Sequence, residues 1–98
     1  MSSFIILQVD VKDSNKLKAY TAAAPATVNL YNGSLVFRGN VSEIVFGNPG
    51  YTFAVVLKFP DAESASNWYE SDEYQNLIEN RDESANVIAT RYDESDFF

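Results

Sequence analysis

The order in which strand-like and helix-like apolar spacing follow one another limits the folds open to this chain more than any other feature. Apolar residues recur at every second position over residues 3–11, which predicts a strand. Over residues 16–31 the apolar residues instead recur at steps of three and four, which predicts a helix. Pro25 lies within that pattern, so we predict a kink or a restart of the helix there. Strand patterns return over residues 34–46, as one or two strands, and most clearly over residues 51–59.

The rest of the chain supplies a helix pair and a last strand. Asp61 can cap one helix, and Ser71 can cap a second, short helix that ends near Arg81. Residues 82–84 then predict a polar loop, and residues 86–92 predict the last strand. The whole order is that of a ferredoxin-like α+β sandwich, βαββαβ, with an antiparallel sheet of four to five strands.

The length fits one domain over residues 1–98, with its core at about residues 3–92 and an acidic, aromatic tail at residues 93–98. Such a sheet carries helices on one face only, and its other face is predicted to be apolar. The apolar residues expected on that face, depending on strand register, are Phe4, Ile6, Val36 and Val56. Pairing with a second copy is the simplest way to cover them, so we predict a homodimer through the sheet faces.

Composition excludes several classes of chemistry. The sequence contains no His and no Cys, so it offers no disulfide, no thiolate nucleophile, no imidazole base and no His or Cys ligand for zinc or haem. We expect no metal site and no cofactor. The formal net charge of −7 argues against a nucleic-acid partner. Since no apolar run is long enough for a signal sequence or a membrane span, we expect a soluble cytoplasmic protein.

The acidity is concentrated in one part of the chain. Residues 61–98 contain 11 acidic residues against Arg81 and Arg91, whereas residues 1–60 contain three acidic and five basic residues. We expect the acidic side chains mainly on the outer faces of the second helix pair, on its loop and on the tail. There they would form a solubilising coat around a dimer interface.

One block of the sequence resembles a known family. The residues that carry the likeness are the strand Phe53–Pro60, then Trp68-Tyr69, Ser71 and Tyr74-Gln75. This pattern is similar to that of the domain-of-unknown-function 1330 family, in the dimeric α/β-barrel superfamily, and the likeness covers about residues 4–92. It implies the fold and a dimer, but no common activity. Where that family is rich in Arg and Ala, this chain has the acidic segment 79–83.

Two charged residues are candidates for the chemistry of a site. The Arg38 guanidinium, next to Gly39, could hold a carboxylate or an enolate through its two-pronged hydrogen bonding, or it could pair with Asp10 or Glu43 at the sheet edge. Asp10, at the polar end of the first strand, could act as a general base if it is buried, or it could be solvated beside Lys12.

Period-two spacing also predicts which side chains of the second strand share a face. Leu35 and Phe37 should lie on one face, and Val36 and Arg38 on the other. Arg38 would then be the notable charge on the uncovered face of the sheet.

Four aromatic residues could line a ligand cavity, namely Tyr20, Trp68, Tyr69 and Tyr74. The resemblance implies a cavity between helices and sheet in which aromatic side chains donate hydrogen bonds to a substrate oxygen. Helical spacing explains the same four residues as ordinary core, above all Trp68.

The leading prediction is a dimeric α/β barrel that binds or converts a small organic acid or aromatic molecule without metal or haem. Its catalytic candidates are Asp10, Tyr20 and Arg38, and its ligand-binding candidates are Arg38, Trp68, Tyr69 and Tyr74. The alternative is a non-catalytic binding or structural dimer whose cavity is filled by its own side chains, so the sequence leaves open whether the chain is an enzyme. The terminal Phe97-Phe98 pair could insert into the partner subunit or fray.

Overall fold

A computed structural model describes residues 1–97 of the chain. Its strands are Ser3–Val11 (β1), Ser34–Asn40 (β2), Phe53–Phe59 (β3) and Ala85–Asp93 (β4). Its helices are Ser14–Leu30 (α1), Ala62–Glu70 (α2), Asp72–Gln75 (α3) and Ile78–Ser84 (α4). None of the helices in this part of the chain is long and apolar enough to cross a bilayer.

The four strands form one antiparallel sheet in the order β2-β3-β1-β4. The predicted βαββαβ order and the α+β class are therefore confirmed. Every second residue of β1 faces the helices: Ile5 and Leu7 are buried in the core, whereas Phe4 and Ile6 on the opposite face are only half-buried. We call these two sides of the sheet the helix-facing side and the open face.

The core lies between the helix-facing side and the four helices. Its largest members are Phe59, Trp68 and Tyr74, of which none is more than 1% exposed. The Trp68 ring lies 5.6 Å from Phe59 and 4.3 Å from Tyr74, measured between ring centroids. Its indole Nε1 donates to Thr27 Oγ1 at 3.0 Å, so the one polar atom of this ring is satisfied inside the core.

Helix α1 begins at a capped residue and runs without a break. The Asp13 carboxylate accepts hydrogen bonds from the backbone N–H groups of Asn15 and Lys16, which satisfies two donors of the first turn. The helix continues through Pro25 to Leu30. The helix therefore does not restart at Pro25, and the prediction of a restart was wrong.

A bulge in β2 changes the faces predicted for that strand. Leu35 pairs with Leu57, but the next pair is Phe37 with Val56, so Val36 is an extra residue. An extra residue in a strand shifts the alternation of every side chain that follows it. Leu35 and Phe37 consequently lie on opposite sides of the sheet, not on one side as predicted.

The same bulge turns Arg38 toward the helices. Arg38 pairs with Val55, and Val55 pairs with the core residue Leu7 on the helix-facing side. Phe37 lies on the open face, where its ring is the nearest group to a Cβ built on Gly39. The prediction that Arg38 lies on the open face was wrong, because strict alternation does not foresee a bulge.

Two other segments differ from prediction. Residues 41–46, expected to resume a strand, form no strand, because the β2–β3 ladder ends at the pair Asn40–Phe53. Residues 82–84, expected to be a loop, form the last turn of α4, where the Ser84 hydroxyl donates to backbone carbonyls of that helix. In the tail, Phe97 is 88% exposed, and the predicted docking of Phe98 lies outside the described residues.

Candidate functional site

A cavity of about 710 Å³ lies between α1 and the helix-facing side of the sheet. We call it the large cavity. Apolar side chains of α1, β1 and β3 form most of its wall, and its volume is typical of ligand pockets. Among the polar side chains that line it are Tyr20, Thr21, Arg38, Asn40 and Arg81. The cavity therefore extends from edge strand β2 to helix α4.

A chain of hydrogen bonds leads from Arg81 to this cavity. Arg81 Nη1 donates to the hydroxyl oxygens of Tyr69, at 3.3 Å, and Tyr74, at 3.2 Å. The hydroxyls of Tyr74 and Tyr20 are 2.7 Å apart. Arg81 is only 8% exposed, and its Nε pairs with the Asp82 carboxylate at 3.0 Å. The guanidinium thus holds two tyrosine hydroxyls in place from within the protein interior.

The direction of this hydrogen-bond chain follows from the burial of Tyr74. Tyr74 is fully buried, and its hydroxyl oxygen already accepts from Arg81. Within residues 1–97, the single acceptor in reach of the Tyr74 proton is the hydroxyl oxygen of Tyr20. Buried hydroxyl donors are almost always hydrogen-bonded, so Tyr74 donates to Tyr20. The proton of Tyr20 is then free to be donated into the large cavity.

Tyr20 and Arg81, at the two ends of this series of hydrogen bonds, keep their ordinary protonation states. Burial, together with the nearby Tyr74 hydroxyl, raises the pKa of Tyr20 well above its usual value of 10.0. Burial alone would lower the pKa of Arg81, but hydrogen bonds to Tyr69 and Tyr74 outweigh it and raise that pKa. At neutral pH, Tyr20 is therefore a neutral donor and Arg81 a cation.

A comparison of the sequence with protein families decides the family. A family model described as a domain of unknown function (DUF1330) matches residues 2–91. The chain belongs to the DUF1330 family. Comparison with curated protein sequences finds no match.

Three solved structures share the fold of this DUF1330 protein. A hydroxynitrile lyase from Passiflora edulis is 12% identical over 99% of this chain and 96% of its own, with a TM-score of 0.77. A dimeric ferredoxin-like protein of unknown function from Jannaschia is 8% identical over 96% and 100%, with a TM-score of 0.74. A cofactor-independent oxygenase from Streptomyces nogalater is 7% identical over 96% and 93%, with a TM-score of 0.70. At these identities the likeness shows the fold alone.

The structure brings most of the predicted site residues of this DUF1330 protein together. Tyr20, Arg38 and Trp68 line the large cavity, and Tyr74 reaches it through its hydrogen bond to Tyr20. Tyr69 lines a second, smaller cavity between α2 and β4 and is joined to the others through Arg81. The aromatic candidates are thus both core and cavity wall.

Asp10 lies apart from this group. It is exposed on the open face, where its carboxylate accepts a hydrogen bond from the Asn86 side chain at 3.4 Å. Its position follows from the alternation of β1, since the even-numbered residues of that strand point away from the helices. Asp10 is not among the residues that line the large cavity.

Arg81 is the site residue that sequence reasoning missed. It stands in the acidic segment 79–83, where the sequence pattern predicts only the end of a helix. A signal was present, because Arg81 follows the inward residues Leu77 and Ile78 by four and three positions, which places it on the same helix face. No group of three potential metal-ligating side chains occurs within residues 1–97.

Alkaline titration tests whether Tyr20 is held neutral. When the protein unfolds, Tyr20 regains its ordinary pKa of 10.0, whereas the folded protein keeps a higher one. Above that pH the unfolded chain loses the Tyr20 proton first, so this residue's contribution to stability is present below pH 10.0 and lost above it. Urea unfolding at rising pH should therefore show a shallower loss of stability in Tyr20→Phe than in the unmodified protein.

The matched control is Tyr51→Phe, which removes a hydroxyl from a residue outside the large cavity and outside the sheet. Its stability should fall with pH as steeply as that of the unmodified protein. Equal slopes for Tyr20→Phe and the unmodified protein would contradict the assignment.

Proposed function

We propose that the large cavity binds a small aromatic or organic acid, with Tyr20 donating to a ligand oxygen and Arg38 facing the negative charge. The observation that carries the proposal is that Arg81 donates to the Tyr74 hydroxyl, which lies 2.7 Å from the Tyr20 hydroxyl at the cavity wall, and the inferred donation from Tyr74 leaves the Tyr20 proton for a ligand. A donor fixed in this way is oriented before the ligand arrives, so less entropy is lost on binding.

The charges around the large cavity support an acceptor or anionic ligand. Arg38 is exposed and makes no hydrogen bond or ion pair within residues 1–97, so its guanidinium is available. Arg81, the second cation of the cavity wall, has a carboxylate partner in Asp82. Apolar side chains such as Leu17 and Phe53 line the remainder and suit a hydrocarbon or aromatic body.

The same arrangement could support a reaction. A neutral hydroxyl donor and a guanidinium in the wall of one cavity stabilise negative charge that develops on a bound ligand, as in an enolate or phenolate. Two proteins with this fold are named as enzymes, a hydroxynitrile lyase and a cofactor-independent oxygenase, which supports testing the bound molecule for turnover.

The binding test uses 2-naphthoate as the probe, followed by NMR of backbone amides. The amides of Thr21, Ala24 and Arg38 should shift saturably as the probe is added, since these residues line the large cavity. Tyr20→Phe should raise the Kd about tenfold, the loss expected for one hydrogen bond to a charged group. Native mass spectrometry of the purified protein should reveal a bound small molecule of the same class.

Two comparisons make this test specific. Arg38→Gln should weaken 2-naphthoate but leave the affinity for neutral 2-naphthol unchanged, because the substitution removes a charge. Tyr92→Phe, which alters a hydroxyl on the open face, should bind both probes like the unmodified protein. If the probe caused no saturable shifts, or if Tyr20→Phe bound it unchanged, the proposal would fail.

We also propose that two copies of the chain pair through their open faces. The apolar residues of that face are Phe4, Ile6, Phe37, Val56, Ile88 and Tyr92, and the unpaired bulge residue Val36 precedes Phe37 in the edge strand. Three of those six side chains are between 42% and 55% exposed, and a contiguous exposed apolar surface usually marks an interface. The related fold from Jannaschia is described as dimeric, which supports the same assembly here.

A further inference from the structure

The second cavity lies on the helix-facing side of the sheet between α2 and β4, and its volume is about 340 Å³. We call it the small cavity. The polar and charged residues that line it are Ser66, Tyr69, Glu70, Arg81 and Arg91. Arg81 and Arg91 are also the two basic residues among the 11 acidic residues of positions 61–98. The two basic side chains of residues 61–98 therefore line the same cavity.

The hydrogen bonds of these side chains leave donors facing the small cavity. Tyr69 accepts from Arg81 and Ser66 accepts from Arg91, the latter at 3.0 Å, so each hydroxyl keeps its own proton to give. Arg81 uses Nε and Nη1 in its bonds, and its Nη2 has no hydrogen-bond partner within residues 1–97. Arg81 is 8% exposed, and within residues 1–97 the one buried side-chain polar atom without a partner is Asn80 Oδ1, so the unused Arg81 Nη2 is reached by solvent.

Arg91, on strand β4, supplies the remaining donor of the small cavity. Arg91 Nε pairs with the Asp93 carboxylate at 3.3 Å, and Arg91 Nη1 donates to Ser66 Oγ. Arg91 Nη2 makes no hydrogen bond within residues 1–97. Glu70 is the one acidic residue in the wall, and it is exposed to solvent. Four side chains of the wall thus each keep a donor that no residue within 1–97 uses, and Glu70 is the single acidic side chain beside them.

From this arrangement we infer that the small cavity binds the carboxylate group of a small organic acid. A planar carboxylate offers about four acceptor positions, and guanidinium groups match it with paired hydrogen bonds. The volume is at the small end of the range of ligand pockets, about 300 to 1,000 Å³, which suits a compact acid. The site shares Arg81 with the large cavity but does not depend on the function proposed for that cavity.

The test compares benzoate with benzamide, which has nearly the same shape but no charge. Backbone amides of Ser66, Ala89 and Arg91 report on the small cavity, and those of Thr21 and Ala24 report on the large one. Benzoate should shift the first set saturably, and benzamide should bind at least about tenfold more weakly. Because the two sets share no residue, failure of one site is distinguishable from failure of the other.

Arg91→Gln is the decisive variant, since Arg91 is nearly half exposed and its loss should leave the fold intact. It should raise the Kd for benzoate at the small cavity about tenfold or more. Arg38→Gln removes an exposed arginine from the large cavity and should leave that Kd unchanged. The inference is overturned if the first set of amides does not shift, if benzamide binds as well as benzoate, or if Arg91→Gln binds benzoate unchanged.

Discussion

Arg81→Met will lower the free energy of unfolding by about 3 kcal/mol, because one buried and one partly buried hydrogen bond from a charged donor are lost at about 1.5 kcal/mol each. The substitution keeps an apolar stem of similar length but removes the donor that Tyr69 and Tyr74 share. Urea unfolding at neutral pH measures the change. The matched control is Arg91→Met, whose guanidinium is nearly half exposed and should cost less than about 0.5 kcal/mol.

A double-mutant cycle separates the hydrogen bond from general damage to the core. Tyr74→Phe removes the hydroxyl that accepts from Arg81 and donates to Tyr20. If Arg81 and Tyr74 act as one unit, the double variant will lose about 1 to 2 kcal/mol less than the sum of the two single variants. Strictly additive losses would show that the two side chains are independent, contrary to the geometry.

The same variants connect stability with the large cavity. Without the Tyr74 hydroxyl, the Tyr20 oxygen loses its donor, and the Tyr20 proton is no longer directed toward the ligand. Tyr74→Phe should therefore weaken 2-naphthoate binding even though Tyr74 does not itself line the large cavity. In the proposed arrangement Tyr74 is a positioning residue, and Tyr20 is the residue expected to contact the ligand.

The overall fold was predictable because residue patterns that are local in sequence mark its main helices and strands. Strand β1 alternates at period two, and α2 is capped by Asp61, whose carboxylate accepts from the Ser64 backbone N–H at 2.7 Å. Aromatic residues at helical spacing identified Trp68 and Tyr74 as inward residues, which they are. These features depend on neighbours a few positions away, so a single sequence contains them.

The placement of the charges could not be predicted in the same way. Arg38 was placed on the open face because alternation was counted without the bulge at Val36, which arises from pairing with β3. Arg81 was overlooked because an arginine among acidic residues is usually solvated. Its burial depends on α4 packing against α1 and on the tyrosines of α2 and α3, which are partners distant in sequence.

Ile6→Glu will convert the proposed homodimer to monomers. Ile6 stands on the open face of β1, with Val56 and Thr90 as its cross-strand neighbours on either side. A glutamate there would place a carboxylate without a partner in an apolar interface, which costs several kcal/mol. The dimer Kd should rise by about a thousandfold, since each factor of ten corresponds to about 1.4 kcal/mol.

Light scattering coupled to size-exclusion chromatography, followed by sedimentation at several concentrations, measures the change. Leu30→Glu is the matched control, because it introduces the same charge at an apolar residue of α1 that is 65% exposed. It should leave the dimer intact, and circular dichroism should show that both variants keep their secondary structure. A monomeric unmodified protein, or an Ile6→Glu variant that stays dimeric, would rule out the open face as the interface. A monomer that still binds 2-naphthoate would show that each subunit's large cavity is complete without its partner.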